Sequence, residues 1–114
     1  IDYGLVGDIK SVNNHLINML LTNGITPVFC AITHDKTAQL LNTNADTVAS
    51  EIAVAMSDLY EIELVYCFDK KGVLRDITDS ESVIEKIDSL SYTELVNDGV
   101  INAGMLPKLK KGFD

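Results

Sequence analysis

The run Leu64-Val65-Tyr66-Cys67-Phe68, with Ile62 two residues before it, is the stretch that most constrains what this 114-residue chain can fold into. Nearly continuous apolar, β-favouring residues predict a strand covered on both faces, which is the habit of parallel sheets. Parallel neighbours need a crossover, and one stands just upstream. From Ala45 to Tyr60, Val48, Ile52, Met56 and Leu59 recur at helical spacing, with Ala45, Ala49 and Ala53 alongside to permit close packing on a sheet. Before that helix, residues 25–32 read as a second buried strand, and the polar residues Thr33 to Leu41 as a loop. Pro27 has no N–H for a ladder and belongs near that strand's start or at an edge. Strand, helix and strand in this order predict α/β architecture.

The flanks add further elements. Residues 1–11 read as extended, with turns at Gly4 and Gly7. A helix is expected over 13–23, capped by Asn13 or Asn14, with Leu16, Met19, Leu20 and Leu21 facing inward and Gly24 as its stop. His15 falls in its first turn as a solvated residue. Beyond Gly72, residues 73–75 and 82–87 form short segments of open type, Tyr92 to Asn97 a brief helix closed by Asp98-Gly99, and Met105 to Phe113 the start of another helix. Tyr60 to Ile62 is the expected hinge between two lobes, 1–61 and 62–114. The chain opens and closes inside elements, which suggests a portion of something longer.

Nine Lys and Arg against 17 Asp and Glu leave a net charge of −8, shared between the two lobes. That sign argues against nonspecific binding to nucleic acid or to an anionic membrane. No apolar run approaches the ~20 residues of a membrane span, and no signal-peptide pattern begins the chain, so a cytoplasmic location is expected. Cys30 and Cys67 lie within the two apolar runs and are expected as buried free thiols. Neither they nor His15 and His34 have metal-site spacing, so no metal ligands are assigned.

Three clusters could carry chemistry. In Leu41-Asn42-Thr43-Asn44-Ala45-Asp46-Thr47, Asn44 can cap the following helix with Asp46 in its first turn, a gain of ~1 kcal/mol. The same helix start offers N–H groups to a carboxylate or phosphate, with asparagine donors at its rim and Asp46 able to orient a lysine. In Gly99 to Lys108, Gly104 opens the backbone before a helix that carries Lys108, a cation able to offset charge on a transferring phosphoryl group, or simply a solvated lysine like Lys110 and Lys111. Asp69-Lys70-Lys71-Gly72 stands at the exit of the predicted strand, where open α/β sheets bind ligands, or is a plain turn. No Walker loop, dinucleotide fingerprint, nucleophile elbow or zinc-helix motif occurs.

In their order and spacing these clusters, together with Gly4-Leu5-Val6-Gly7-Asp8-Ile9-Lys10-Ser11-Val12-Asn13, resemble the amino-acid kinase family over nearly the whole chain. The resemblance implies a three-layer α/β/α sandwich with a mainly parallel sheet in two lobes, present here as a partial chain: 1–61 the end of an acyl-amino-acid lobe, 62–114 an incomplete nucleotide lobe. It implies transfer of the γ-phosphoryl of ATP, with Mg²⁺ held mainly by the phosphates, to the side-chain carboxylate of an N-acylglutamate in arginine biosynthesis. Positioning and charge neutralisation dominate such chemistry. Carried across, Asn42 and Asn44 bind the acylamino acid, Asp46 organises the catalytic lysines, Lys108 stabilises the transferring phosphoryl, and Asp69, Gly72 and Gly104 contact nucleotide. A homo-oligomer, dimer or larger, is implied as well.

Against the family pattern, Phe68 replaces a small hydroxyl residue, Ala103 replaces a glycine, and the loop from Thr33 to Leu41 has no glycine. The family's N-terminal glycine-rich loops, their Lys and the substrate-pairing Arg are absent, and Arg75 is the only arginine. The fragment alone is therefore expected to be inactive. The competing readings are a freestanding acidic α/β ligand-binding or regulatory module, in which capping and turns explain every cluster, and another member of the superfamily.

Overall fold

The computed structural model describes residues 4–67, 69–101 and 109. The chain divides into two compact units, Ile1–Leu64 and Val65–Asp114. The first carries α1 (Asn14–Thr22), β1 (Ile32–His34), β2 (Leu40–Asn42) and α2 (Ala45–Met56), and the second carries α3 (Ser89–Asn97).

Each helix begins where its side chains can satisfy the orphan N–H groups of a first turn. Asn13 caps α1, its Oδ1 accepting from Leu16 N at 3.0 Å. Asn44 caps α2, its Oδ1 accepting from Thr47 N at 3.0 Å. At α3, Asp88 Oδ1 accepts from Ser91 N at 2.9 Å while Ser91 Oγ accepts from Asp88 N at 2.9 Å, a reciprocal capping box. α1 stops at Asn23-Gly24, where Gly24 takes φ +74°, a left-handed conformation that glycine adopts at little cost. α3 ends at Asp98-Gly99.

α1 is tied to α2 through Asn14 Nδ2, which donates to Ala55 O at 3.4 Å, and to the turn after α2 through Tyr60 Oη, which donates to Asn18 Oδ1 at 2.6 Å. Between these helices and residues 29–34 lies a cavity of about 300 Å³ whose wall includes Leu16, Ile17, Phe29, Cys30, Val48 and Ile52. The apolar face of α1 differs from the expected one. Ile17 is buried, whereas Leu16, Met19 and Leu21 are exposed, because Ile17 is the residue turned toward the interior of this unit. α2 ends at Met56, which is 3% exposed, and its last carbonyls are consumed in a turn: Ser57 Oγ donates to Val54 O at 2.8 Å, and the N–H groups of Leu59 and Tyr60 both reach Met56 O. Leu59 is thus outside the helix and exposed, not on its inner face.

The strands depart furthest from expectation. The segment expected as a polar loop holds a hairpin: β1 and β2 pair antiparallel, Ile32 opposite Asn42 and Thr33 opposite Leu41. The segments expected as buried strands, 25–32 and 62–68, do not form strands over 25–30 or 61–67, and Phe68 lies outside the described residues. A strand is defined by its neighbour, and an apolar residue on such a run is left open here: Val28 is 93% exposed. Cys30 and Cys67 sit on these open segments and are exposed free thiols, not buried ones. A parallel pairing among the described residues is the isolated bridge between Val6 and Asn42. In the second unit, residues 73–75 and 82–84 meet antiparallel at Leu74 and Val83, with Arg75 N donating to Ser82 O and Ile84 N to Val73 O, both at 2.8 Å. The helix expected over 105–113 falls outside the described residues apart from Leu109.

The hairpin loop is built on Asp35. Its carboxylate accepts from Thr37 N and Thr37 Oγ1, both at 2.7 Å, and from Gln39 N at 3.2 Å. The loop turns without glycine by placing Lys36 at φ 70° and Ala38 at φ 72°. A left-handed residue carrying a Cβ costs ~1–2 kcal/mol, so Ala38→Gly is expected to stabilise the protein by ~1 kcal/mol in a urea melt; an unchanged or lowered midpoint would contradict this.

Asp76 anchors the loop of the second unit in the same way, accepting from Thr78 Oγ1 at 2.7 Å and Thr78 N at 2.8 Å. The Thr78 hydroxyl, then its N–H, hold this carboxyl below its ordinary 3.8. A carboxylate depressed in the folded state adds stability above its unfolded value and loses it as pH falls through the folded one. The Thr78 amide, followed by NMR, is accordingly expected to titrate with a midpoint below 3.8. A midpoint at or above that value would show that the turn does not depend on the ionised carboxylate.

Candidate functional site

The polar cluster around Asn42 is fixed from both sides. On one side Asn42 is opposite Ile32 in the hairpin. On the other, Asn42 N donates to Leu5 O at 2.8 Å and Gly7 N donates to Asn42 O at 2.9 Å. Asn42 therefore lies where the Leu5–Gly7 segment, β2 and β1 meet. This junction demands the glycine: a Cβ on Gly7 would fall 2.8 Å from Leu41 Cβ and 2.9 Å from Thr33 Oγ1.

From that junction the chain passes directly into α2. Side chains alternate through the passage, with Asn42 exposed, Thr43 buried at 4% and Asn44 exposed. Successive residues of an extended segment point to opposite faces, so Asn42 and Asn44 emerge together while Thr43 turns inward. Asn44 has φ −63° and ψ 127°, the extended geometry of a helix cap, and its carbonyl accepts from Val48 N at 3.0 Å. Asp46 comes next in the first turn, half-buried, where a negative charge meets the positive end of the helix. The three residues Asn42, Asn44 and Asp46 are thus gathered at one strand-to-helix junction. Capping and substrate binding are compatible there, because Asn44 uses its Oδ1 for Thr47 and retains its amide donors.

Asp69 and Gly72 belong to the second unit. Asp69 is exposed. Gly72 packs against the opposite segment closely enough that a Cβ there would lie 2.9 Å from Val83 Cγ1, so packing accounts for the absence of a side chain. Its neighbour Lys71 forms an ion pair with Glu81, and this contact, with help from Ser80, draws the Glu81 carboxyl below its ordinary range. Gly104 and Lys108 lie outside the described residues.

Two features escape a reading of the sequence. Thr33 Oγ1 and Thr43 Oγ1 are hydrogen bonded at 2.7 Å beneath the asparagines. The signal that could have found them is the hairpin register, which makes residues 33 and 43 diagonal neighbours on one face. Gly7, expected as a turn, is instead a point of close approach. Among the described residues no group of three or more His, Cys, Asp and Glu is arranged to hold a metal ion, and no helix is long and apolar enough to cross a membrane.

Comparison with known proteins gives this junction a context. The chain is 54% identical over all 114 residues to an acetylglutamate kinase of Cytophaga hutchinsonii, covering 43% of that protein. It is 49% identical over 114 residues to an acetylglutamate kinase of Bacteroides thetaiotaomicron, covering 44% of it. It is also 39% identical over 106 residues, 93% of this chain, to an acetylglutamate kinase of a Nostoc species, of which it covers 35%. The chain therefore spans less than half the length of these curated relatives. The profile of the amino acid kinase family matches residues 1–114. Matched from end to end, the chain belongs to the amino acid kinase family and shares its α/β class.

Proposed function

We propose that the full-length protein containing this chain phosphorylates the side-chain carboxylate of an N-acylglutamate, N-acetylglutamate foremost, with MgATP as donor, serving arginine biosynthesis in the cytoplasm. The observation that carries the reading is the Asn42–Asn44–Asp46 junction, found in a chain 54% identical to an acetylglutamate kinase. Two asparagines on one exposed face offer amide donors to a carboxylate and an acylamino group, beside a helix start that favours negative charge.

In the proposed step, a substrate carboxylate oxygen attacks the γ-phosphorus, the bond from phosphorus to the bridging oxygen breaks, and ADP departs with the electron pair. No proton transfer is required of the protein, which needs only to align the reactants and neutralise charge. Asn42 and Asn44 hold the acylamino acid. Asp46 orients the catalytic lysines, and Lys108 stabilises the transferring phosphoryl. Asp69, Gly72 and Gly104 contact the nucleotide. In this reading, 1–61 ends an acyl-amino-acid lobe and 62–114 begins a nucleotide lobe within a three-layer sandwich around a mainly parallel sheet. The protein works as a homo-oligomer.

The 114 residues alone are expected to show no turnover with ATP and N-acetylglutamate in a coupled assay, since the chain spans 43% of its relative. Turnover at the full-length rate would overturn the proposal that other residues complete the site. In the full-length protein, Lys108→Ala is expected to lower kcat by about 10²-fold or more with little change in either KM. A folded Lys108→Ala variant with parental kcat would remove Lys108 from the reaction. Asn44→Asp separates capping from binding, because aspartate caps as well as asparagine but repels a carboxylate. It is expected to keep the melting temperature while raising the acylglutamate KM by about tenfold; an unchanged KM would leave Asn44 as a cap only.

A further inference from the structure

We propose that the Thr33–Thr43 hydroxyl pair positions the acylamino-acid site, holding Asn42 and Asn44 in register with each other and with the start of α2. The inference rests on the reading of those asparagines as substrate-binding residues. The hairpin register puts Thr33, Leu41 and Thr43 on one face and Ile32, Leu40 and Asn42 on the other. Burial obeys the same division: Thr33 and Leu41 are half-buried and Thr43 is buried, while Ile32, Leu40 and Asn42 are exposed.

Thr43 is the only residue between Asn42 and Asn44, and it is tied down twice. Its N–H donates to Ala31 O at 3.0 Å, and its hydroxyl meets that of Thr33 at 2.7 Å. A buried hydroxyl deprived of its partner would pull the segment toward another one, and the exposed asparagines on either side would move with it. Gly7 closes the far side, where a Cβ would come within 2.9 Å of Thr33 Oγ1. The pair is thus confined between a strand-to-helix junction and a backbone wall. Thr33 and Thr43 touch no substrate in this scheme and act through the asparagines.

Kinetics of the full-length protein with N-acetylglutamate and ATP test the proposal. Thr33→Val and Thr43→Val are each expected to raise the N-acetylglutamate KM about tenfold while the ATP KM stays put. The serine variants keep the hydroxyl and are expected to restore parental values. The double valine variant is expected to be no worse than either single one, because both remove the same bond. Should Thr43→Val fail to fold, half-buried Thr33 carries the same comparison. A drop in melting temperature with neither KM altered, or both KM values rising together, would overturn the proposal. Asn42→Ala is measured in parallel. If it raises the N-acetylglutamate KM while the threonine variants do not, the positioning role alone fails; if it too leaves that KM unchanged, the site reading fails with it.

Discussion

The first unit depends on the backbone of Asn42. Its N–H and C=O are both spent on the Leu5–Gly7 segment, while its other edge belongs to the hairpin partner Ile32. A residue whose backbone groups are spent on one neighbour while the hairpin holds its other edge has little freedom, and the chain downstream inherits that fixed starting point. Downstream of Asn42 stand a buried threonine, a capping asparagine and a helix of 12 residues. The orientation of α2, the exposure of its cap and the placement of Asp46 all descend from one three-way meeting of main chain. The absent side chain at Gly7 is what lets the three segments come that close.

How much could be read in advance depends on the range over which each interaction acts. Asn44 and Asp98-Gly99 were legible because a cap or a stop is decided within four residues of itself. The brief helix expected at Tyr92 extends back to Ser89 because Asp88 and Ser91 complete a capping box, again a local device. The strands were not legible in this way. An apolar run such as 62–68 states that a residue prefers burial, but not which segment will cover it, and 61–67 form no strand. The hairpin was hidden for the opposite reason. Its turn uses Lys36 and Ala38 in left-handed conformations, whereas the usual sequence signal for such a turn is glycine or asparagine.

The candidate site divides along the same line. Asn42, Asn44 and Asp46 are close in sequence, so their gathering at one junction needed only the extended-to-helical transition that Asn44 imposes. Thr33 and Thr43 are ten residues apart and meet only through the hairpin register, which the polar composition of that loop concealed. Asp69 and Gly72 belong to a different unit from the asparagines, and Gly104 and Lys108 to residues beyond those described. That they join the asparagines in one site belongs to the proposal, which rests on family membership and not on proximity along the chain.

The apolar segment of the first unit bears on what a neighbouring strand would have to match, in a chain that spans 43% of the length of its Cytophaga relative. Residues 25–32 contain no charged side chain, and Val28 is almost entirely bare. A stretch of that kind suits a strand neighbour, and the chain's negative charge lies elsewhere. Pro27 sits inside it with no N–H to offer. Any strand laid along it meets an interrupted row of donors, so the residue that looks like a flaw in a strand narrows the registers a neighbour can take.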